Sequence, residues 1–313
     1  MTSTKKITRA MELIAATRIV KAQQRVLAAR PYADQITAVI RSLAAGGAGA
    51  GQPLLTPKTD IKKVGYLVIA GDRGLAGAYN SGVIRLSERA LQAEVAAGKE
   101  YVLVVVGKKT EDYFKFRKYR IHSVFKGFTD APTYENARAI AAAVNAAFES
   151  GEFDQLEIVY TQFLSAGSQR PILKRFMPIE MDLGGDGATS NGGYEFEPDP
   201  NVILGSILPR YVESRIYAAL LDAAASEHAS RQRAMKSATE NAGDLIKKLS
   251  LQMNAARQAA ITSEIMEIVG GAEALKDAGG GAKDLLVDHS NTVELFAQHG
   301  HQPNADHVEH AAH

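Results

Sequence analysis

Between Arg210 and Val269 the chain contains no proline and a single glycine, Gly243, and Gly270 and Gly271 follow directly. As one helix, 60 residues at ~1.5 Å each make a rod of roughly 90 Å, longer than any compact domain of a 313-residue chain could enclose. Within it Met235, Ala238, Ala242, Leu245 or Ile246, Leu249, Met253, Ala256 and Ala260 mark a narrow seam. The spacing is close to two apolar positions per heptad, by which one helix winds about another. Such a rod needs a second helix of comparable reach.

The one other long helical stripe lies at the opposite end of the chain. From Thr4 to Arg30 there is neither glycine nor proline, and Ile7, Met11, Ala15, Ile19, Ala22, Val26 and Ala29 recur every three or four residues. Pro31 is expected to kink or interrupt this helix; Tyr32 to Leu43 resumes the pattern and the glycine-rich stretch Gly46 to Gly51 stops it. The economical architecture pairs the two termini as an antiparallel coiled coil.

What lies between has a different period. Short apolar runs at Val64–Ala70, Tyr101–Val106, Ile121–Val124 and Leu156–Phe163 alternate with helix-like stretches at Val83–Ala97, Lys108–Tyr119 and Thr133–Ser150. Alternation of this kind predicts an α/β layer with a mostly parallel, Rossmann-like sheet. Ile172 to Leu183, broken by proline and charge, reads as an edge strand, and Gly184 to Gly193 as a loop. Asp199-Pro200 is a helix start, with an aspartate to cap free amides and a proline for the first turn. The expected divisions are a shaft helix over 1–45, an α/β domain over 60–198, a second shaft helix over 199–271 and a flexible, histidine-rich tail over 272–313.

Several chemistries fall away. Lys+Arg 36 against Asp+Glu 35 gives a net charge of +1, so no global basic field attracts nucleic acid or an anionic membrane. The basic face of the first helix (Lys5, Lys6, Arg9, Arg18, Lys21, Arg25, Arg30) carries no interleaved aromatic on which bases could stack before Tyr32. Absence of cysteine removes disulfides, thiolate metal sites and thiol nucleophiles, and no apolar run reaches the ~18 residues of a bilayer span. Gly71-Asp72-Arg73-Gly74-Leu75-Ala76-Gly77 stands where a dinucleotide's phosphates would lie, but its glycines do not follow the G-x-G-x-x-G order and no acid ends the next strand. A turn packed closely on the sheet is the favoured reading. Of the eight histidines, six (His289, His299, His301, His307, His310, His313) fall in the tail, where adventitious metal affinity outweighs a designed site; His122 and His228 read as structural. Near the rod's end Arg257, Gln258, Thr262, Glu264 and Glu267 form a polar cluster beside Ile265, Ile268 and Val269. On the residues alone this is a solvated face or a partner surface.

Several segments resemble the gamma subunit of F-type ATP synthases. They are Thr4-Lys5-Lys6-Ile7-Thr8-Arg9-Ala10-Met11-Glu12-Leu13-Ile14-Ala15-Ala16 with Lys21-Ala22-Gln23; Asp72-Arg73-Gly74-Leu75-Ala76-Gly77-Ala78-Tyr79-Asn80; Tyr194-Glu195-Phe196-Glu197-Pro198-Asp199-Pro200; Met235-Lys236-Ser237-Ala238-Thr239-Glu240-Asn241-Ala242; Ala256-Arg257-Gln258-Ala259-Ala260-Ile261-Thr262; and Glu267-Ile268-Val269-Gly270-Gly271. They run in order from about Ser3 to Gly271, and Arg30-Pro31-Tyr32 with Ala223-Ala224-Ala225-Ser226-Glu227 is most like actinobacterial members.

The resemblance implies a rotor shaft turning inside three alpha and three beta subunits, driven by proton flow through a ring of c subunits at the cytoplasmic face of the cell membrane. It implies no catalytic site and no cofactor of the chain's own, since ATP, ADP and magnesium belong to the partners. By motif position it implies Met11, Arg231, Arg257, Gln258, Thr262, Glu264 and Glu267 as contacts with beta-subunit loops. Ile268 and Val269 would sit in an apolar bearing, with Tyr194 and Glu197 near the c ring and the epsilon subunit. Three departures stand out: family members carry further residues ahead of the Ser3-Thr4 position, often have cysteine where Ala76 stands, and tend to stop soon after Gly271. A nucleotide-dependent α/β enzyme and an unrelated coiled-coil scaffold are the competing readings.

Overall fold

A computed structural model of the chain describes residues 1–45, 52–179 and 199–277. The strand Ile172–Leu183 therefore falls partly, and the loop Gly184–Gly193, the candidate contact residues Tyr194 and Glu197 and the six tail histidines wholly, outside the described residues. Two compact units are present, Met1–Ile246 and the residues from Lys247 onward.

The first unit holds a mixed five-stranded sheet between two helical layers. Helix α1 (Thr2–Ala45) precedes β1 (Lys63–Ile69), α2 (Tyr79–Ala96), β2 (Glu100–Val106), α3 (Lys108–Phe116), β3 (Ile121–Phe125), α4 (Tyr134–Glu149), β4 (Gln155–Phe163), β5 (Gln169–Met177) and α5 (Pro200–Asp277). The strand order is β3-β2-β1-β4-β5, with β1 parallel to β2 and β4, β2 parallel to β3, and β5 antiparallel to β4 at the edge. β5 begins three residues earlier than the apolar run suggests, because Gln169 and Arg170 pair with Phe163 and Gln162 across a short turn. Pro171 sits within it, as an edge strand permits.

Alternation along the parallel strands sorts the core into two layers. Leu67, Ile69, Val104, Val106 and Ile158 face α4, α5 and the carboxyl half of α1, where Ile40, Leu43, Ile140, Leu204, Leu208 and Ile216 are buried. Val64, Tyr66, Val68, Leu103 and Val105 face α2 and α3 on the other side. Local chemistry sets the helix ends. Thr133 caps α4 by accepting from the Asn136 amide while the Asn136 side chain accepts from the Thr133 amide. The Asp199 carboxylate accepts from the Asn201 amide at 2.8 Å to open α5. Gly98 and Gly151, at φ +80° and +73°, close α2 and α4. Lys118, at φ +61°, ends α3 with the Tyr119 amide donating back to Phe114, three residues short of the expected Tyr119.

Helix α1 departs from expectation in two ways. It runs without interruption through Pro31, because the buried stripe continues on both sides of the proline and outweighs its cost of ~3 kcal/mol. The stripe itself is Thr8, Glu12, Ala15, Ile19, Ala22, Val26, Ala29, Ala33, Ile36, Ile40 and Leu43, alternating steps of four and three throughout. At its amino end polar residues thus replace the expected Ile7, which is 57% exposed, and Met11, which is half-buried. Glu12 is buried and accepts from Arg9 at 2.9 Å, and Thr239 of α5 donates to Thr8 across the seam at 2.8 Å. Lys5 Nζ lies 3.3 Å from where a Cβ on Gly243 would be, so the two helices run antiparallel.

The carboxyl unit is the remainder of α5. Gly270 and Gly271 do not end the helix, which continues to Asp277. Each glycine costs only about 1 kcal/mol in a helix, and Ala272, Glu273, Ala274, Leu275 and Lys276 are strong helix formers. The tail expected from residue 272 is accordingly helical in its first six residues.

Candidate functional site

Two places in the molecule bear on function: the carboxyl edge of the sheet and the helical segment from Lys247. In a sheet of this order, ligands bind in the crevice between β1 and β4, where successive connections leave in opposite directions. Here the chain fills the crevice with its own helix. Ser226 donates to the Thr161 carbonyl at 3.0 Å, and Arg231 donates to the Gly74 carbonyl at 3.2 Å and to Glu227 at 2.5 Å. Arg233 donates to the carbonyls of Ala166 and Gly167 and to the side chain of Gln169. His228 hydrogen bonds to the Asp130 carbonyl at 2.9 Å.

The glycine loop is shaped around this helix. A Cβ on Gly71 would stand 3.0 Å from the Glu227 carboxyl carbon, so Gly71 leaves room for a side chain of the same protein where a phosphate would otherwise lie. Glu227 is fully buried, and burial pushes its carboxyl above the usual range against the opposing pull of Arg231. Tyr79 beside it is pushed well above its ordinary value, by burial first and by the Glu227 charge second. Asp72 ties the loop to its neighbours: its carboxylate accepts from the amides of Lys108, Gly127 and Thr129 and from the Thr129 hydroxyl at 2.8 to 3.1 Å. Burial alone would raise its pKa, but these donors hold the carboxyl below 3.8.

That arrangement sets a pH dependence with a definite sign. A carboxyl lowered in the folded state contributes stability above its unfolded pKa that is lost as pH falls through the folded value. Asp72→Asn is expected to cost about 1.5–3 kcal/mol at neutral pH, because hydrogen bonds to a charged acceptor are lost and an amide nitrogen faces donors. Urea unfolding of the full chain from pH 7 to pH 2 should show the variant losing less further stability below about pH 4. Parallel acid limbs for the two proteins would mean that Asp72 is not the titrating group.

The expected contact residues divide between the two units. Met11 is half-buried on α1. Arg231 is 9% exposed, with its guanidinium engaged by Glu227 and Gly74, so it fastens α5 to the loop. Arg257, Gln258, Thr262, Glu264, Glu267, Ile268 and Val269 all lie in the carboxyl unit and are exposed, as is every side chain from Lys247 to Lys276. Leu251, Met253, Ile261, Ile265, Met266 and Leu275 are exposed with them, at up to 74%. Thr262 Oγ1 donates back to the Gln258 carbonyl at 2.8 Å. Ile261, Ile265, Ile268 and Leu275 repeat at three, four and seven residues, an apolar stripe that is exposed among the described residues. Of the two histidines read as structural, His122 lies 3.1 Å from Glu152 and His228 is in the core. Sequence reading missed the Glu227–Arg231 pair, although its i,i+4 spacing is a visible signal. Among the described residues no group of three or more His, Asp or Glu side chains is arranged to hold a metal, and no helix is long and apolar enough to cross a membrane.

Residues 1–275 match the ATP synthase family. The chain is 47% identical over 293 residues to an ATP synthase gamma chain of Mycolicibacterium gilvum, covering 88% of this chain and 94% of that one. It is 50% identical over 281 residues to an ATP synthase gamma chain of Frankia casuarinae, covering 87% and 93%. Among solved structures, a central-stalk and c-ring chain of the Tetrahymena thermophila mitochondrial ATP synthase aligns with a TM-score of 0.56 at 22% identity, covering 74% of this chain and 99% of that one. A chain of the Euglena gracilis mitochondrial enzyme aligns at 0.55 and 18% identity, covering 91% and 99%.

Proposed function

The chain belongs to the ATP synthase gamma chain family, the central-stalk subunit of F-type enzymes, and on that premise we propose that it acts as a rotor shaft with no catalytic site of its own. Residues 1–45 and 199–271 form the shaft in this reading and 60–198 the domain fixed to its foot. The shaft is gripped by three alpha and three beta subunits, and turning it presents unequal surfaces to equivalent neighbours, biasing each toward a different conformation. Proton flow through a c ring supplies the rotation, and the epsilon subunit binds with the c ring at the foot, close to Tyr194 and Glu197. ATP, ADP and magnesium are bound by partners, and the chain is peripheral at the cytoplasmic face of the cell membrane.

The observation that carries the reading is the helical segment from Lys247, whose apolar side chains are exposed among the described residues. Most helical stability in proteins comes from packing of an apolar face, and in this reading the partner subunits supply that packing. Arg257, Gln258, Thr262, Glu264 and Glu267 are the polar contacts with beta-subunit loops, Ile268 and Val269 the bearing, and Met11 a contact from α1. Arg231 works indirectly, by holding the helix to the domain. A nucleotide enzyme built on the sheet finds its crevice already filled by Ser226 and Glu227.

Gln258→Ala with Thr262→Ala is the test. Neither side chain is buried, and among the described residues the one hydrogen bond Thr262 makes is to its own helix, so helix content by circular dichroism should stay unchanged. ATP synthesis by membranes carrying the assembled variant should fall by about tenfold, the effect of losing roughly 1.4 kcal/mol of coupling contact. Synthesis at the wild-type rate would remove these residues from the contact set.

A further inference from the structure

Where α1 passes the sheet it has little to grip on α5. Around the cleft that Ala22 of α1 shares with Leu221 and Ala224 of α5, the buried side chains are mostly alanines: Ala15 and Ala22 on one helix, Ala223, Ala224, Ala225 and Ala229 on the other. Alanines let two helices approach closely, but a single methyl is a shallow knob that makes few contacts. Such a seam resists separation better than it resists sliding or rolling.

Directional contacts supply what the alanines lack, and they converge on Asp130 in the turn after β3. Its carboxylate accepts from Arg18 of α1 at 2.9 Å, and its carbonyl accepts from Nε2 of the buried His228 of α5, also at 2.9 Å. One residue thus addresses both helices. Arg73 of the glycine loop stands 3.8 Å from the same carboxylate oxygen. The turn itself is fixed to the sheet through Asp72, whose amide donates to the Thr129 hydroxyl at 2.8 Å and whose carboxylate accepts from the Gly127 and Thr129 amides at 2.8 and 3.1 Å.

We infer that Arg18 and Asp130 are positioning residues that hold α1 in step with α5 and the sheet, so that the two helices turn as one body. The pair is partly exposed, with the Arg18 side chain 44% and the Asp130 side chain 25% accessible, and adds little to global stability. Its worth lies in direction. In the rotor reading, on which this consequence rests, a twisting load that reaches α5 without the pair is taken up by α1 rolling over the alanines, and part of the rotation is lost between the two strands of the shaft.

A double-mutant cycle of Arg18→Gln and Asp130→Asn tests this, with Arg18→Lys as the charge-conserving control. Hydrogen exchange of the full chain reads the tie without any partner. Amides of α1 between Ala15 and Ala22 should exchange up to about fivefold faster in either single variant and no faster still in the double variant, while all melt like the wild type and Arg18→Lys exchanges close to it. ATP synthesis by membranes carrying the variants, per assembled complex, should fall by up to about fivefold with the same non-additivity. Wild-type exchange in both single variants, additive losses in the double variant, or a loss of synthesis that tracks a lowered melting temperature would overturn the assignment. So would faster exchange with synthesis at the wild-type rate, which would leave the pair a local contact only. Failure of the unaltered chain to restore synthesis to membranes lacking their own gamma chain would count against the rotor reading instead, and the exchange cycle would then decide the tie by itself.

Discussion

Gly107→Ala is expected to destabilise the chain by about 3–5 kcal/mol, the sum of a disfavoured backbone conformation and a steric overlap. Gly107 follows β2 at φ +100°, and a Cβ there would lie 2.3 Å from the Ala70 carbonyl oxygen and 3.0 Å from that of Gly71. Both obstacles are backbone at the end of the central strand β1, held by the Ala70 amide donating to Val106 and the Lys109 amide donating to Gly71. They cannot rotate away as a side chain could. Gly98→Ala is the internal control, with φ +80° but nothing within 4 Å of its Cβ, and should cost about 1 kcal/mol. Urea unfolding of the full chain, followed by tyrosine fluorescence, compares the two. Equal midpoints would mean that the loop after β2 yields more easily than its contacts imply.

Arg231→Met is expected to cost about 3–5 kcal/mol at neutral pH, because it strands the buried Glu227 carboxylate. The pH profile identifies the cause. Burial raises the Glu227 carboxyl above 4.5, and the Arg231 charge is the chief influence opposing that rise. A carboxyl raised in the folded state contributes stability that is present below its unfolded pKa and lost as pH rises through the folded value. Removing Arg231 lifts the folded value further, so the variant should be least impaired near pH 4.5 and increasingly impaired toward neutrality. Glu227→Gln added to Arg231→Met should recover most of the neutral-pH loss, since no buried charge remains. A deficit independent of pH would instead point to lost packing by the arginine stem.

Elements governed by local chemistry were legible before any coordinates. The alternating apolar runs located the four parallel-sheet strands, Asp199 marked a helix start through its side-chain oxygen, and the heptad spacing paired the two termini. Features decided by tertiary contact were not. Thr8 and Glu12 displace Ile7 and Met11 from the seam because the opposing helix offers Thr239 at that level, which no pattern on α1 alone reveals. The uninterrupted passage through Pro31 and Gly270-Gly271 reflects sequence on both sides outvoting the breaker. At the candidate site, the exposed run from Arg257 to Val269 could be read by resemblance, whereas the burial of Arg231 depends on a loop 157 residues away in sequence. At the glycine loop the glycine spacing speaks against a dinucleotide, and the Glu227 side chain beside Gly71 is a tertiary contact that the spacing alone does not reveal.

The anchoring of residues 226–233 to the loops after β1, β3 and β4 has a mechanical consequence. Because those attachments reach separate strands of one stiff sheet, a sideways load on the sheet meets them in parallel, and slippage requires many bonds to fail at once instead of one after another. Angular play between the sheet and this stretch of α5 is thereby kept small.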